Sequence, residues 1–150
     1  VGGVPEWHGY GGFQNAATTI TVSASNTWYH ITNGSNNLWT LVEGVGIGET
    51  GDTFVLDHAG DYFGHLTVGL SGPNTEDFFV RVFNVTQNTQ HGYIIGVTTT
   101  GTSNYQNISL PLYLEDVAAG DVIRFEIKNL STTGDPVVRS AVFEIIYLHR

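Results

Sequence analysis

The chain has 150 residues, 41% of them hydrophobic and 13% charged, with a formal net charge of −9 and neither cysteine nor methionine. That is enough chain for one domain with a real core, and it excludes a disulfide framework, a thiolate metal centre and a cysteine nucleophile. Five basic residues (Arg81, Arg124, Lys128, Arg139 and Arg150) form no electrostatic track for nucleic acid, and no run of about 18 apolar residues offers a membrane span or follows a basic leader.

Residues 1–14 differ from the rest. Gly2, Gly3, Gly9, Gly11 and Gly12 argue against regular structure, while Val4, Trp7, Tyr10 and Phe13 are apolar anchors between them. The segment reads as a frayed terminus or as a docking arm. Residues 1–16 are accordingly set apart as a Gly-rich arm or linker, and residues 17–150 as the folded domain. In the arm reading, the segment docks on a partner subunit through Val4, Trp7, Tyr10 and Phe13 or continues from an upstream stalk.

From Thr18 onward about ten strands are predicted, over 18–24, 28–31, 38–43, 53–56, 61–70, 78–86, 92–99, 107–114, 121–129 and 138–148. Clusters such as Asn33-Gly34-Ser35-Asn36-Asn37 and Ser71-Gly72-Pro73-Asn74 punctuate them, because Gly and Asn accept positive φ and Pro presets it. β-branched residues dominate and no stretch has helical apolar spacing. The class is all-β, a two-sheet antiparallel sandwich or a barrel. Within 61–70, Tyr62, Leu66, Val68 and Leu70 share one side, with Phe63, His65 and Thr67 opposite. Within 107–114, Ile108, Leu110, Leu112 and Leu114 form the core side, with Tyr113 behind. Ile123, Phe125 and Ile127 face away from Val122, Arg124, Glu126 and Lys128. The last strand is apolar on both sides, with Ala141, Phe143, Ile145 and Tyr147 against Val142, Ile146 and Leu148. A strand buried twice needs cover twice, which predicts an oligomer unless loops or the N-terminal arm supply the second cover.

Sites for chemistry are sparse. Asp57, His58, Asp61 and His65 make the densest titratable cluster, but the two aspartates read as turn residues. Glu49 with Asp52, and Glu115 with Asp116 and Asp121, offer oxygens without the spacing of a calcium loop. Gly69-Leu70-Ser71-Gly72 lacks nucleophile-elbow spacing. The sequence therefore predicts no catalytic residue, no metal site and no cofactor. Trp28, Tyr29, Trp39, Tyr93 and Tyr105 lie near polar loops, where aromatics either stack on sugars or belong to the core.

Three segments, in order, resemble the jelly roll shared by the tumour necrosis factor superfamily and the globular heads of the first complement component. They are Ala59-Gly60-Asp61-Tyr62-Phe63-Gly64, the turn from Leu114 to Asp121 with its Ala-Gly-Asp, and Ser140-Ala141-Val142-Phe143-Glu144-Ile145-Ile146-Tyr147. The opening Ala16-Ala17-Thr18-Thr19-Ile20-Thr21-Val22, followed by Asn26-Thr27-Trp28-Tyr29-His30-Ile31, is similar to small virion structural proteins of tailed bacteriophages. The resemblance implies a TNF-like jelly roll of ten strands and a non-enzymatic homotrimer displayed on a virion. Such a trimer would decorate or cement a capsid beside the major capsid protein. The alternative it implies is a head domain on a tail or head fibre that binds a receptor or a host surface glycan. By the same analogy Phe63, His65, Tyr113, Phe143 and Tyr147 line the threefold contact.

Overall fold

The computed structural model describes residues 6–148. Val4 lies outside the described residues. Twelve strands and no helix occur among them: β1 (His8–Phe13), β2 (Thr18–Thr19), β3 (Tyr29–His30), β4 (Thr40–Val45), β5 (Ile47–Thr50), β6 (Thr53–Leu56), β7 (Gly60–Gly72), β8 (Asp77–Asn84), β9 (Thr89–Thr98), β10 (Gly101–Val117), β11 (Asp121–Asn129) and β12 (Val137–Leu148). They form two antiparallel sheets. The first has the order β10-β7-β12-β1-β4 with β2 on β12, and the second the order β5-β6-β11-β8-β9 with β3 on β11. The chain crosses between sheets at most connections, which makes the sandwich a jelly roll, as the resemblance implied.

Alternation fixes the register. Leu66, Val68 and Leu70 of β7 and Ile108, Leu110, Leu112 and Leu114 of β10 point inward and are fully buried. They meet Val80, Val82, Ile123, Phe125 and Ile127 of the second sheet. Trp39 sits in the middle, its ring 5.1 Å from Phe125 and 5.8 Å from Phe54. Its indole N–H donates to the Ile31 carbonyl at 2.8 Å, so the buried ring leaves no orphan donor.

The segment 8–13 is the main departure from the sequence reading. It is not outside the domain: β1 lies between β12 and β4, with Tyr10 opposite Glu144 on one side and Glu43 on the other. The glycines that argued against structure are what admit it. A Cβ on Gly11 would collide with the Thr40 carbonyl, and one on Gly12 with the Ala141 carbonyl. The predicted strands at 18–24 and 28–31 shrink to the two-residue pairings of β2 and β3. Val22 N–H turns away to the Asp135 carboxylate at 2.8 Å, and Asn26 has a φ of 54°, which breaks extension between them.

Candidate assembly surface

The outward face of the first sheet is built by strands whose inward residues have just been named. Successive side chains alternate, so Phe63, His65 and Thr67 of β7 and Ser109, Pro111 and Tyr113 of β10 must point away from the core. Strand pairing lines them up in rows. Ile146, Phe63 and Tyr113 lie side by side across β12, β7 and β10; Tyr10, Glu144, His65 and Pro111 form the next row; Val142, Thr67 and Ser109 the third. Val42 is added by a bulge in β4 opposite the step from Tyr10 to Gly11. These apolar side chains are far from covered: Val142 is 55% exposed, Val42 61%, Phe63 46%, and Tyr10, Ile146 and Tyr113 are similarly open. Exposed apolar side chains grouped in this way, with Glu144 and His65 among them, make the face a candidate contact surface. Shallow clefts indent it. One of about 290 Å³ is lined by Tyr10, His65, Thr67, Val142 and Glu144, and one of about 450 Å³ by Tyr10, Phe13, Thr40, Val42 and Val142.

Of the five residues expected at the threefold contact, Phe63, His65 and Tyr113 are on this face. Phe143 and Tyr147 are not. Phe143 is 1% exposed and packs its ring 4.7 Å from Phe54 in the core. Tyr147 leans on Tyr62 and Trp7, and its hydroxyl donates to the Ala59 carbonyl at 2.9 Å. Both faces of β12 are apolar, so hydrophobicity did not decide which one is inside. Glu144 does: a carboxylate on the same side as Val142 and Ile146 cannot enter a dry core. Reading that charge would have put Val142 and Ile146 outside, with Tyr10 joining them once β1 was recognised as a strand.

The other expected arm anchors are also engaged within the domain. Trp7 stacks on His58 with ring centroids 3.3 Å apart and planes 9° from parallel. Phe13 meets Trp39 edge-on at 5.1 Å. Tyr10 alone of the described anchors stands outward.

The acidic groups have identifiable structural duties. The β5–β6 hairpin turns through Gly51 and Asp52 at φ values of 59° and 64°, the left-handed pair that a two-residue hairpin demands. The turn directs the fully buried Asp52 carboxylate back toward the loop before β4. There it accepts the N–H groups of Trp39 at 2.8 Å and Leu38 at 3.0 Å, and the Thr32 hydroxyl. Glu49 accepts the Asp52 N–H at 2.9 Å. Asp121 accepts from Asn84 and from Ala118 N–H, both at 2.9 Å, and from Gln87. Asn84 also donates to His91 Nε2 at 3.2 Å. Burial lowers the pKa of His91, with Asp121 opposing, and burial likewise lowers that of His30. The hairpin cluster disperses: His58 stacks on Trp7, Asp61 accepts the Asp116 N–H at 2.9 Å, and His65 joins the outward face. Among the described residues no group of three or more His, Asp or Glu is placed to hold a metal ion.

A second open surface lies on the edge of the sandwich where β9 meets β10. A groove of about 640 Å³ runs there, lined by Gln90, His91, Tyr93, Pro111, Tyr113 and Glu115. Tyr93 is 86% exposed. The other aromatics flagged near loops are less available: Trp39 is core, and Tyr29 accepts the N–H groups of Ser23 and Ala24 on its hydroxyl.

Comparison with solved structures returns TNF-family jelly rolls and a phage vertex protein. The chain is similar to Eiger TNF from S. frugiperda, with a TM-score of 0.66 and 10% identity over 97% of this chain and 94% of that one. It is similar to murine APRIL at pH 5.0, with a TM-score of 0.63 and 13% identity over 96% and 100%. It is also similar to the PRD1 vertex protein P5, with a TM-score of 0.57 and 14% identity over 99% and 100%. At these identities the likeness is one of fold. No protein-family model matches the sequence, and no curated protein matches it.

Proposed function

We propose that the chain is a non-catalytic virion structural protein, a homotrimeric jelly roll that decorates or cements a bacteriophage capsid. The observation that carries the reading is the apolar outward face of the first sheet, where Tyr10, Val42, Phe63, Val142 and Ile146 stand half-exposed in register. Burying each of them gives on the order of 1 kcal/mol. Several together, at a well-packed centre, offset the cost of association. Among the described residues, half of the exposed large hydrophobic side chains lie on this face, and the β9–β10 edge offers a groove lined by Tyr93 and Tyr113. A face docked on a neighbour's edge is a heterologous contact, which forms a ring when the rotation between neighbours closes and a filament when it does not. The resemblance implies three copies. The fold shared with the PRD1 vertex protein P5 supports a virion setting. The oxygens of Asp52 and Asp121, already occupied by hydrogen bonds, support a scaffold rather than an active site.

Sedimentation equilibrium at micromolar concentration tests the assembly, with three chain masses expected; a compact monomer would overturn it. Co-sedimentation of the trimer with purified capsids tests the location.

A second reading, a receptor- or glycan-binding head, is favoured by one observation: the exposed Tyr93 beside the polar Gln90 and Glu115 at an open groove. Under it, the protein binds cells or glycans and ignores capsids.

A further inference from the structure

The outward face of the second sheet carries different chemistry. Arg81 of β8 lies opposite Glu126 of β11, with Phe83 opposite Arg124 and Phe79 opposite Lys128. Three of the five basic residues of a chain with net charge −9 therefore gather on one strand pair. One carboxylate organises them. Glu126 belongs to the outward set of β11, yet its side chain is only 2% exposed because two guanidinium groups cover it. Arg81 reaches Oε1 at 2.7 Å and Arg124 reaches Oε2 at 2.7 Å. Aromatic rings brace the cations from the side. The Arg81 guanidinium carbon sits 4.3 Å from the centroid of Trp28 and 4.4 Å from that of Phe83, and Lys128 Nζ lies 4.9 Å from Trp28. Lys128 also donates to the Asn26 side-chain carbonyl at 2.9 Å.

We propose that this face is a binding site for an acidic polysaccharide, one bearing sulfate or carboxylate groups. Glu126 is a positioning residue: it takes the Nε edge of Arg124 and leaves the outer nitrogens of that fork toward solvent, where they match a planar or tetrahedral anion. Two guanidinium groups and one ammonium against one carboxylate leave the cluster locally positive on an otherwise acidic molecule, so it concentrates anions there. The charged ends converge, with Arg81 and Arg124 meeting on the Glu126 carboxylate and Arg81 and Lys128 both against Trp28, so the face offers one compact anion site. A polymer with a sulfate or carboxylate on each repeat presents many equivalent anions to such a site. The half-buried rims of Phe79, Phe83 and Trp28 suit the C–H faces of sugar rings. Nucleic acid demands denser charge than three cations supply. The face is on the opposite side of the sandwich from the apolar surface, so a ring assembled through that surface presents every copy of it. The inference adds a site separate from the Tyr93 groove, is compatible with either reading above, and does not require the trimer.

The test is affinity chromatography of the whole chain on immobilised heparin (sulfated) and alginate (carboxylated), with neutral dextran as control. Expected is retention on at least one acidic resin at low salt, absent on dextran. Arg124→Ser and Lys128→Ser should each elute at lower salt and reduce the slope of log affinity against log salt by about 1. Arg139→Ser, the same charge loss on β12, should elute like the parent. Glu126→Gln discriminates further. Diffuse attraction predicts tighter binding, since a negative charge is lost, whereas held forks predict weaker binding. No retention, equal effects of Arg139→Ser and Arg124→Ser, or tighter binding by Glu126→Gln would each overturn the proposal. None of these outcomes bears on the trimer or capsid reading.

Discussion

Asp52 shows how much one turn residue can hold. Its backbone makes the β5–β6 hairpin and its carboxylate satisfies the buried N–H groups of Leu38 and Trp39, which place the indole at the centre of the core. Asp52→Ala leaves those donors without partners and should cost about 3 kcal/mol. Asp52→Asn, which keeps one acceptor oxygen, should cost less. Urea denaturation midpoints measure both. Histidines give the pH dependence. His8 has its pKa raised chiefly by its hydrogen bond to Glu43, so that contribution is complete below 6.5 and is lost as pH rises through the raised value. The pKa values of His30 and His91 are lowered chiefly by burial. Stability is therefore unaffected by them above 6.5 and falls as pH drops from 6.5 through their lowered values. Two buried groups should outweigh one exposed ion pair, so melting at pH 5 should come below melting at pH 7.5. His91→Gln should remove part of that difference.

At the scale of strands, the alternation of β7, β10 and β11 was legible because each has one face that a charge or a run of Leu and Ile settles. Lys128, Glu126 and Arg124 assigned the outside of β11 from sequence alone. β12 was harder, since both sides are apolar and only Glu144 breaks the tie. β1 was invisible for a different reason. Glycine is a poor strand former, and nothing local shows that Gly11 and Gly12 are small so that two neighbouring carbonyls can approach. That is tertiary information. It also changes what truncation means: removing residues through 13 takes a strand from the middle of the first sheet, not an appendage. Gly11→Val should destabilise the fold by about 2 kcal/mol or more through overpacking. Amide exchange would show the loss concentrated in β12 and β4.

For the whole molecule, the proposed docking of face on edge is separable into its two surfaces. Val142→Asp should disable the face and Tyr93→Asp the edge, each yielding folded monomers. Both side chains are exposed in the single chain, so neither change disturbs its core. Mixing the two variants leaves one intact pairing, the face of the Tyr93 variant on the edge of the Val142 variant. Equimolar mixtures should therefore sediment as heterodimers and never as rings. A self-complementary patch would give no such complementation. The location of these surfaces was only half readable from the sequence. Apolar excess on β12 pointed to an exposed apolar face, while the β9–β10 groove depends on how two sheet edges converge.

The Tyr147 N–H donates to the Trp7 carbonyl at 2.9 Å, which sets the two ends of the described chain beside each other. Joining them with a short tether and opening the polypeptide at Gly34, in the exposed turn 33–37, would reorder the sequence without relocating any strand. Chain leaving the described residues at Glu6 or at Leu148 would depart from the same pole, and the opposite pole would stay unobstructed.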